Sequence, residues 1–222
     1  MPKWLEFLKD RAHFYVDFSG GKDSLAVLEL VYQNFPRDRF EVLYVRWPDN
    51  THPECDRYVH RVARELDVKL RVQTIPHRFF ELLVEWGCPN FKARWCKRLK
   101  MRELAKFPGV HVTGVTARRG KVGVVGYSRS SSTVVVAPLL ETPHRPTLPL
   151  NPLYEKIQTS GNCMFCPFMN REAIRLIMSS SEYSHVIREA LSKIKRPGRY
   201  VKRWLEEAPQ VSLLGFVEEK HG

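Results

Sequence analysis

Three groups of residues in the chain could do chemistry, and the sharpest is the run Ser19-Gly20-Gly21-Lys22-Asp23-Ser24. Two adjacent glycines free a turn from side chains, and both Gly20 and Gly21 can take positive φ. Amide N–H groups exposed in such a turn, ahead of a helix, make a site for an anion such as a phosphate. Ser19 and Ser24 add hydroxyl donors and Lys22 a mobile positive charge. Asp23 is placed to hold a Mg²⁺ ion that accompanies a polyphosphate. A plain Gly-rich turn capped by Ser24 or Asp23 is the bland alternative, and it accounts for one residue of the six. The G-x-x-x-x-G-K-[ST] spacing of a Walker loop is absent.

The second group is the cysteines. Cys163 and Cys166 form a C-x-x-C knuckle in Gly161-Asn-Cys-Met-Phe-Cys-Pro167, and Cys88 and Cys96 form a C-x7-C pair. Two separated pairs suit four thiolate ligands around Zn²⁺ or an iron–sulfur cluster. A disulfide and buried free thiols are the alternatives. Cys55 stands alone near a helix start and reads as structural. The third group is basic. Lys92, Arg94, Lys97, Arg98, Lys100, Arg102 and Lys106 crowd one helical pattern, and Arg188, Lys193, Lys195, Arg196, Arg199, Lys202 and Arg203 crowd another. On a helix, 94, 97 and 98 share a face, so Cys96 should lie beside a basic surface that lowers its pKa, making it a candidate nucleophile. A nucleic-acid backbone could cross these clusters, with Tyr200 or Trp204 available for stacking; two solvated helix faces are the alternative. The histidines show no metal-like spacing.

Strands and helices must position these groups. His13–Phe18 is an apolar run of strand length before the Gly-rich loop. Leu25, Leu28, Val31, Tyr32 and Phe35 follow at helical spacing, and Pro36 ends that helix. Phe40–Arg46 reads as a second strand, 53–67 as a helix and Val68–Ile75 as a third strand. This alternation calls for a twisted, mostly parallel α/β sheet with helices on both faces. Ligands of such sheets gather at the carboxyl ends of the strands, where Ser19–Ser24 and Trp47–Thr51 fall. Two helical patterns at 78–87 and 92–106 precede a strand at His111–Val115, then short β-rich runs at Val122–Tyr127 and Thr133–Pro138. Residues 141–152 hold four prolines and read as a connection. Helical patterns near 171–178, 183–195 and 199–207 follow. The organisation expected is a nucleotide-binding α/β domain over 1–150 and a Cys-containing helical extension over 151–222 packed on it.

Composition bounds the partners. There are 36 Lys+Arg against 24 Asp+Glu, a formal charge of +12, which favours polyanions such as nucleotides or nucleic acid. No apolar run approaches the about 18 residues of a membrane span. The first residues carry scattered charges and no signal-peptide core, so a cytoplasmic location is expected.

The hexapeptide resembles the pyrophosphate-binding loop of the PP-loop ATP pyrophosphatase superfamily, whose pattern is Ser-Gly-Gly-x-Asp-Ser. Arg94-Trp-Cys-Lys97, Val112-Thr-Gly-Val-Thr-Ala-Arg-Arg119, Asn151-Pro-Leu-Tyr-Glu-Lys156 and Gly-x-Cys-x-x-Cys-Pro follow in order. Together these motifs, spread over residues 13 to 170, resemble the PAPS-reductase-like branch of that superfamily. The resemblance implies an adenine-nucleotide-α-hydrolase-like fold, with the loop on the phosphates and Gly114, Arg118 and Arg119 nearby. Relatives bind a [4Fe–4S] cluster through a Cys-Cys pair and a later C-x-x-C. Trp95 replaces the first cysteine here, so Cys96, Cys163 and Cys166 carry over and Cys88 would supply the fourth ligand. Reductases of this branch also use a later cysteine as nucleophile, and none follows Cys166 in this chain. The function implied is ATP cleavage to an adenylated intermediate and pyrophosphate, with Lys22, Asp23 and Cys96 catalytic and Mg²⁺ assisting. Sulfur transfer from a sulfur donor protein, onto tRNA as the candidate acceptor, would follow. A sulfonucleotide (APS or PAPS) reductase using an external thiol, and a non-catalytic nucleotide- or nucleic-acid-binding protein, are the other two readings.

Overall fold

A computed structural model of the chain describes residues 1–116, 123–128, 133–195 and 198–207. Helix α1 (Lys3–Lys9) leads into β1 (Phe14–Asp17), α2 (Lys22–Asn34), β2 (Phe40–Arg46), α3 (Pro53–Glu65) and β3 (Leu70–Thr74). Helices α4 (Phe79–Trp86) and α5 (Trp95–Leu104) precede β4 (Val110–Val112), β5 (Val125–Ser128) and β6 (Thr133–Val136). Four helices end the described chain: α6 (Leu153–Ile157), α7 (Arg171–Met178), α8 (Ser181–Ser192) and α9 (Arg199–Glu206). The third strand is shorter at both ends than the sequence suggests, and the fourth begins one residue earlier and ends three sooner. The expected start of the fifth, at Val122, lies outside the described residues.

The six strands form one sheet in the order β3-β2-β1-β4-β6-β5. Every pairing is parallel except that of β5 with β6. Central strands in such a sheet are covered on both faces and should read as continuous apolar runs. β2 does so: Val42, Leu43 and Tyr44 are all buried. β3 lies at the edge and is largely exposed, with Lys69 and Arg71 both paired to Glu41 of β2. Charged side chains along an open edge discourage pairing with another chain. Those partners matter electrostatically as well. The Arg71 hydrogen bond, aided by Lys69 and opposed by burial, brings the Glu41 carboxyl down to about 2.

Helix α2 is not the one-sided helix its spacing suggests. Residues Ser24 to Val31 are buried without interruption, as in a helix enclosed on all sides. One part of its cover is the proline-rich connection. Glu29 accepts from the N–H groups of Thr147 and Leu148 at 2.9 and 2.7 Å, and from His144 Nε2 at 2.8 Å. Burial pushes the Glu29 carboxyl up, but the donors of Leu148, Thr147 and His144 outweigh it and the net shift is downward.

The C-terminal helices share the core of the sheet. Phe165 is fully buried, 4.7 Å from the Trp204 ring and 6.1 Å from Phe79, which in turn packs on Trp47 at the end of β2. Burying one such ring is worth about 1.5–3 kcal/mol. Asn50 fixes the register of this contact: its Oδ1 accepts the Phe165 N–H at 2.7 Å and its Nδ2 donates to the Phe165 carbonyl at 3.1 Å. Among the described residues no helix is long and apolar enough to cross a membrane.

Candidate active site

The strand order reverses between β1 and β4: the chain runs outward from β1 to β3, then returns to the other side of β1. Crevices at such points, outside the carboxyl ends of the strands, are where open α/β sheets bind ligands. A cleft of about 410 Å³ opens there. Asp17, Ser19, Gly21, Lys22, Asp23 and Ser24 line it from the β1 side, Thr113, Gly114 and Val115 from the β4 side, and Tyr154, Thr159 and Ser160 from the C-terminal segment.

The loop is closed from within by Ser24. Its hydroxyl donates to the Gly21 carbonyl at 2.8 Å and accepts the Ser19 N–H at 3.2 Å. Gly20 has φ 75°, whereas Gly21 is extended at φ −90°, so only the first of the two glycines uses the left-handed region. A side chain at Gly20 would also meet Cys55 Sγ at 2.9 Å. One glycine serves the turn and the other leaves the cleft side of the backbone bare. Neither Ser24 nor Asp23 is the N-cap; Gly21 holds that position. The first-turn N–H groups of a helix have no carbonyl of their own helix to reach, which leaves them to other partners. Lys22 N–H donates to the Tyr154 hydroxyl at 3.1 Å.

Gly114 is pressed against the loop. A Cβ there would stand 2.8 Å from Asp23 C and Ser24 N and 2.9 Å from Asp23 O. Arg118 and Arg119, expected beside it, lie outside the described residues. Asn151 ties the C-terminal segment down: its Nδ2 donates to the Ser160 carbonyl at 2.8 Å and to the Gly20 carbonyl at 3.4 Å, and its Oδ1 accepts from Leu153 N–H. The NPLYEK segment therefore clasps the loop.

Beneath the cleft sits a pair that sequence reading missed. His111 Nδ1 lies 2.9 Å from Asp17 Oδ1, and His111 Nε2 lies 2.8 Å from the Phe107 carbonyl. A carbonyl can only accept, so Nε2 carries a hydrogen, and the contact to Asp17 needs one more proton shared between the two groups. Burial raises the Asp17 carboxyl against the lowering effect of His111. For His111, burial acts downward, but the Asp17 hydrogen bond and charge raise the net value. The Thr113 hydroxyl at the same cleft is buried with no hydrogen-bond partner among the described residues. Nothing local marks Asp17; only its position two residues before Ser19, at a strand end, could have drawn attention to it.

Asp49 and Thr51, at the other strand-end turn, have structural duties. Asp49 accepts the N–H groups of Phe79 and Phe80 at 2.8 and 3.1 Å and so caps α4. The Thr51 hydroxyl accepts from Trp47 N–H and donates to the Asn162 carbonyl. Cys55 is buried beside Tyr44 and the Ser19 carbonyl, and burial pushes its thiol to about 12.

The structure brings Cys88, Cys96, Cys163 and Cys166 into one neighbourhood as free thiols. Each perturbs another: Cys166 and Cys96 act on Cys88, Cys163 acts on Cys96, and Cys163 and Cys96 act on Cys166. Burial is the larger cause in each case and takes Cys88 to about 12 and Cys166 to about 11. Cys96 is raised as well, not lowered as its basic helix suggests. Burial and Cys163 outweigh the Lys97 N–H, Lys100 and Arg94. Among the described residues no group of three or more His, Cys, Asp or Glu stands in metal-holding geometry. Lys100 was missed as a partner of this cluster. Its Nζ donates to Cys163 Sγ at 3.3 Å and to Asn162 Oδ1. Trp204 is fully buried and unavailable for stacking, whereas Tyr200 reaches the surface.

A mostly parallel sheet with a Gly-rich loop at its switch point is the arrangement on which many α/β proteins bind nucleotides. A family model described as the phosphoadenosine phosphosulfate reductase domain matches residues 13–140, and the chain belongs to that family. Among solved structures, the phosphoadenylyl-sulfate (PAPS) reductase from Candida auris in a phosphate complex is similar. It has 14% identity and a TM-score of 0.48, over 69% of this chain and 84% of that one. None of the curated proteins compared matches the chain.

Proposed function

We propose that the cleft binds an adenine nucleotide whose leaving phosphate rests on the Ser19–Ser24 loop, and that the substrate is a sulfonucleotide. The observation that carries this reading is the bare backbone of Gly21 at the head of α2, facing a cleft shared with Gly114. Membership of the phosphoadenosine phosphosulfate reductase domain family supports the choice of nucleotide. An external dithiol supplies the two electrons. Its first sulfur attacks the sulfate sulfur and the nucleotide phosphate leaves; its second displaces sulfite and closes a disulfide. The chain's own task is to take up the charge growing on the leaving phosphate. Loop N–H groups, the Ser19 hydroxyl and Lys22 are positioned in advance for that purpose, which is where such groups have most effect.

A second reading is ATP cleavage, with pyrophosphate on the same loop, Mg²⁺ beside Asp23 and sulfur transfer to RNA; the basic, aromatic surface beside the thiols favours it. In either reading Cys88, Cys96, Cys163 and Cys166 fit a thiophilic group by donor chemistry, four sulfurs from three segments, and would hold a [4Fe–4S] cluster or Zn²⁺. Such a group would supply local positive charge or electron storage when bound. Calorimetry with APS, PAPS, ATP and AMP, followed by assays for sulfite and pyrophosphate, tests the proposal. Sulfite release from APS or PAPS with a dithiol is the expected result. Pyrophosphate release from ATP without sulfite release would shift the assignment to the second reading. No affinity for any of the four would overturn both.

A further inference from the structure

A second cavity, of about 590 Å³, lies between the segment around Phe91, the residues after Cys166 and helix α9. Its lining is unusual for a protein surface. Phe91 is 70% exposed, and its ring stands 4.5 Å from Phe168, which meets Tyr200 edge-on at 5.6 Å. Arg94 lies over the Phe168 ring at 4.5 Å and Arg199 over the Tyr200 ring at 4.8 Å. Arg171 is taken up by Glu207, but Arg94 and Arg199 spread their charge over ring faces, with Lys202 alongside and Glu206 at the rim. Among the described residues nothing covers the outer face of the Phe91 ring, which stands beside two further rings and a set of cations rather than alone.

We propose that this surface binds an unpaired stretch of RNA, a base stacking on Phe91 and the flanking phosphates lying against Arg94, Arg199 and Lys202. Aromatic rings beside guanidinium groups are how sequence-tolerant single-strand binders work, since every base offers a π face. An acidic peptide would answer the positive charge but would leave the flat face of Phe91 bare. RNA rather than DNA is the occupant because unpaired loops and bulges are what RNA ordinarily presents to proteins. The surface adjoins the sulfur chemistry: the Phe168 N–H is hydrogen-bonded to Cys166, and the Arg94 charge reaches both Cys96 and Cys166. The inference holds whichever nucleotide the cleft takes.

Fluorescence anisotropy of the full chain with a twelve-nucleotide single-stranded RNA tests it. The comparisons are an RNA duplex of the same sequence, the matching single-stranded DNA and poly-glutamate. The single-stranded RNA should bind tightest, with affinity falling about 20-fold between 50 and 200 mM salt for roughly three phosphates neutralised. Phe91→Ala should weaken it by about tenfold, the loss of one stacked base, and Phe91→Trp should restore it. Duplex affinity and nucleotide affinity at the cleft should not change in either variant. Unchanged single-strand affinity in Phe91→Ala, poly-glutamate binding as tight as RNA, or tighter binding of the DNA would each overturn the proposal.

Discussion

The Tyr154 hydroxyl accepts the backbone N–H of Lys22 at 3.1 Å, joining the Ser19–Ser24 loop to a helix that begins more than a hundred residues later. Tyr154→Phe keeps the ring and removes the hydroxyl. Nucleotide affinity should fall by roughly 2- to 13-fold, the worth of one net hydrogen bond, with little change in melting temperature. Calorimetry decides the sign. Tighter binding in the variant would mean that the hydroxyl competes with the phosphate for the Lys22 N–H.

Two glycine substitutions should separate binding from folding. A Cβ at Gly21 would sit 3.5 Å from Ser19 Oγ and from the Tyr154 hydroxyl, at ordinary contact distance. Gly21→Ala should therefore melt like the parent protein while losing about tenfold or more in nucleotide affinity, or ~1.4 kcal/mol. At Gly114 the neighbours are backbone atoms under 3 Å away, which cannot rotate aside. Gly114→Ala should lower stability by at least the about 1–3 kcal/mol typical of overpacking, read by thermal denaturation.

The Asp17–His111 pair gives the molecule a pH-dependent stability of definite sign. Both groups have folded-state values above their ordinary ones, 3.8 and 6.5. The His111 contribution is complete below its unfolded value and is lost as pH rises through its folded value; Asp17 acts in the same direction. Melting temperature should decline as pH rises above the ordinary imidazole value of 6.5 and through the raised one. In Asp17→Asn that part of the decline should vanish, since the pair no longer takes up a proton on folding. An identical alkaline slope in both proteins would refute the shared proton.

Glu29 acts at the other end of the scale. Its folded value lies below the ordinary 4.5, so its contribution is present above that value and is lost as pH falls through the lowered one. Glu29→Gln should destabilise the protein at neutral pH, by about 1–3 kcal/mol for donors left poorly matched, and flatten the acid limb. Hydrogen exchange at Thr147 and Leu148 should accelerate in the variant, since their N–H groups are the ones released.

The parts of the fold legible in the sequence were those with local causes. The loop, its strand and its helix could be placed because Gly20, Lys22 and Ser24 act where they stand in the chain. The sheet followed from the alternation of apolar runs. What escaped was set by contacts made at a distance. Helical geometry puts Cys96 beside Arg94 and Lys97 correctly, but it cannot weigh the burial that raises the thiol. Trp204 looked like a stacking residue among arginines, yet Val201 three residues earlier marks the same helix face, and that face is the core. Asp17 and His111 are 94 residues apart, and only the pairing of β1 with β4 makes them partners.

The touching backbones of Gly114 and the Asp23–Ser24 peptide bear on how this family could diversify. Where two main chains meet directly, no side chain is present to be enlarged, shortened or recharged, so that part of the cleft wall is not adjustable by substitution. Variation is left to the side chains that line the rest of the cleft, Tyr154, Thr159 and Ser160 among them. Those residues arrive on a separate segment, held to the loop through the hydrogen bonds of Asn151. The lining of the cleft could then change by exchanging the clasp while the Ser19–Ser24 loop stays as it is.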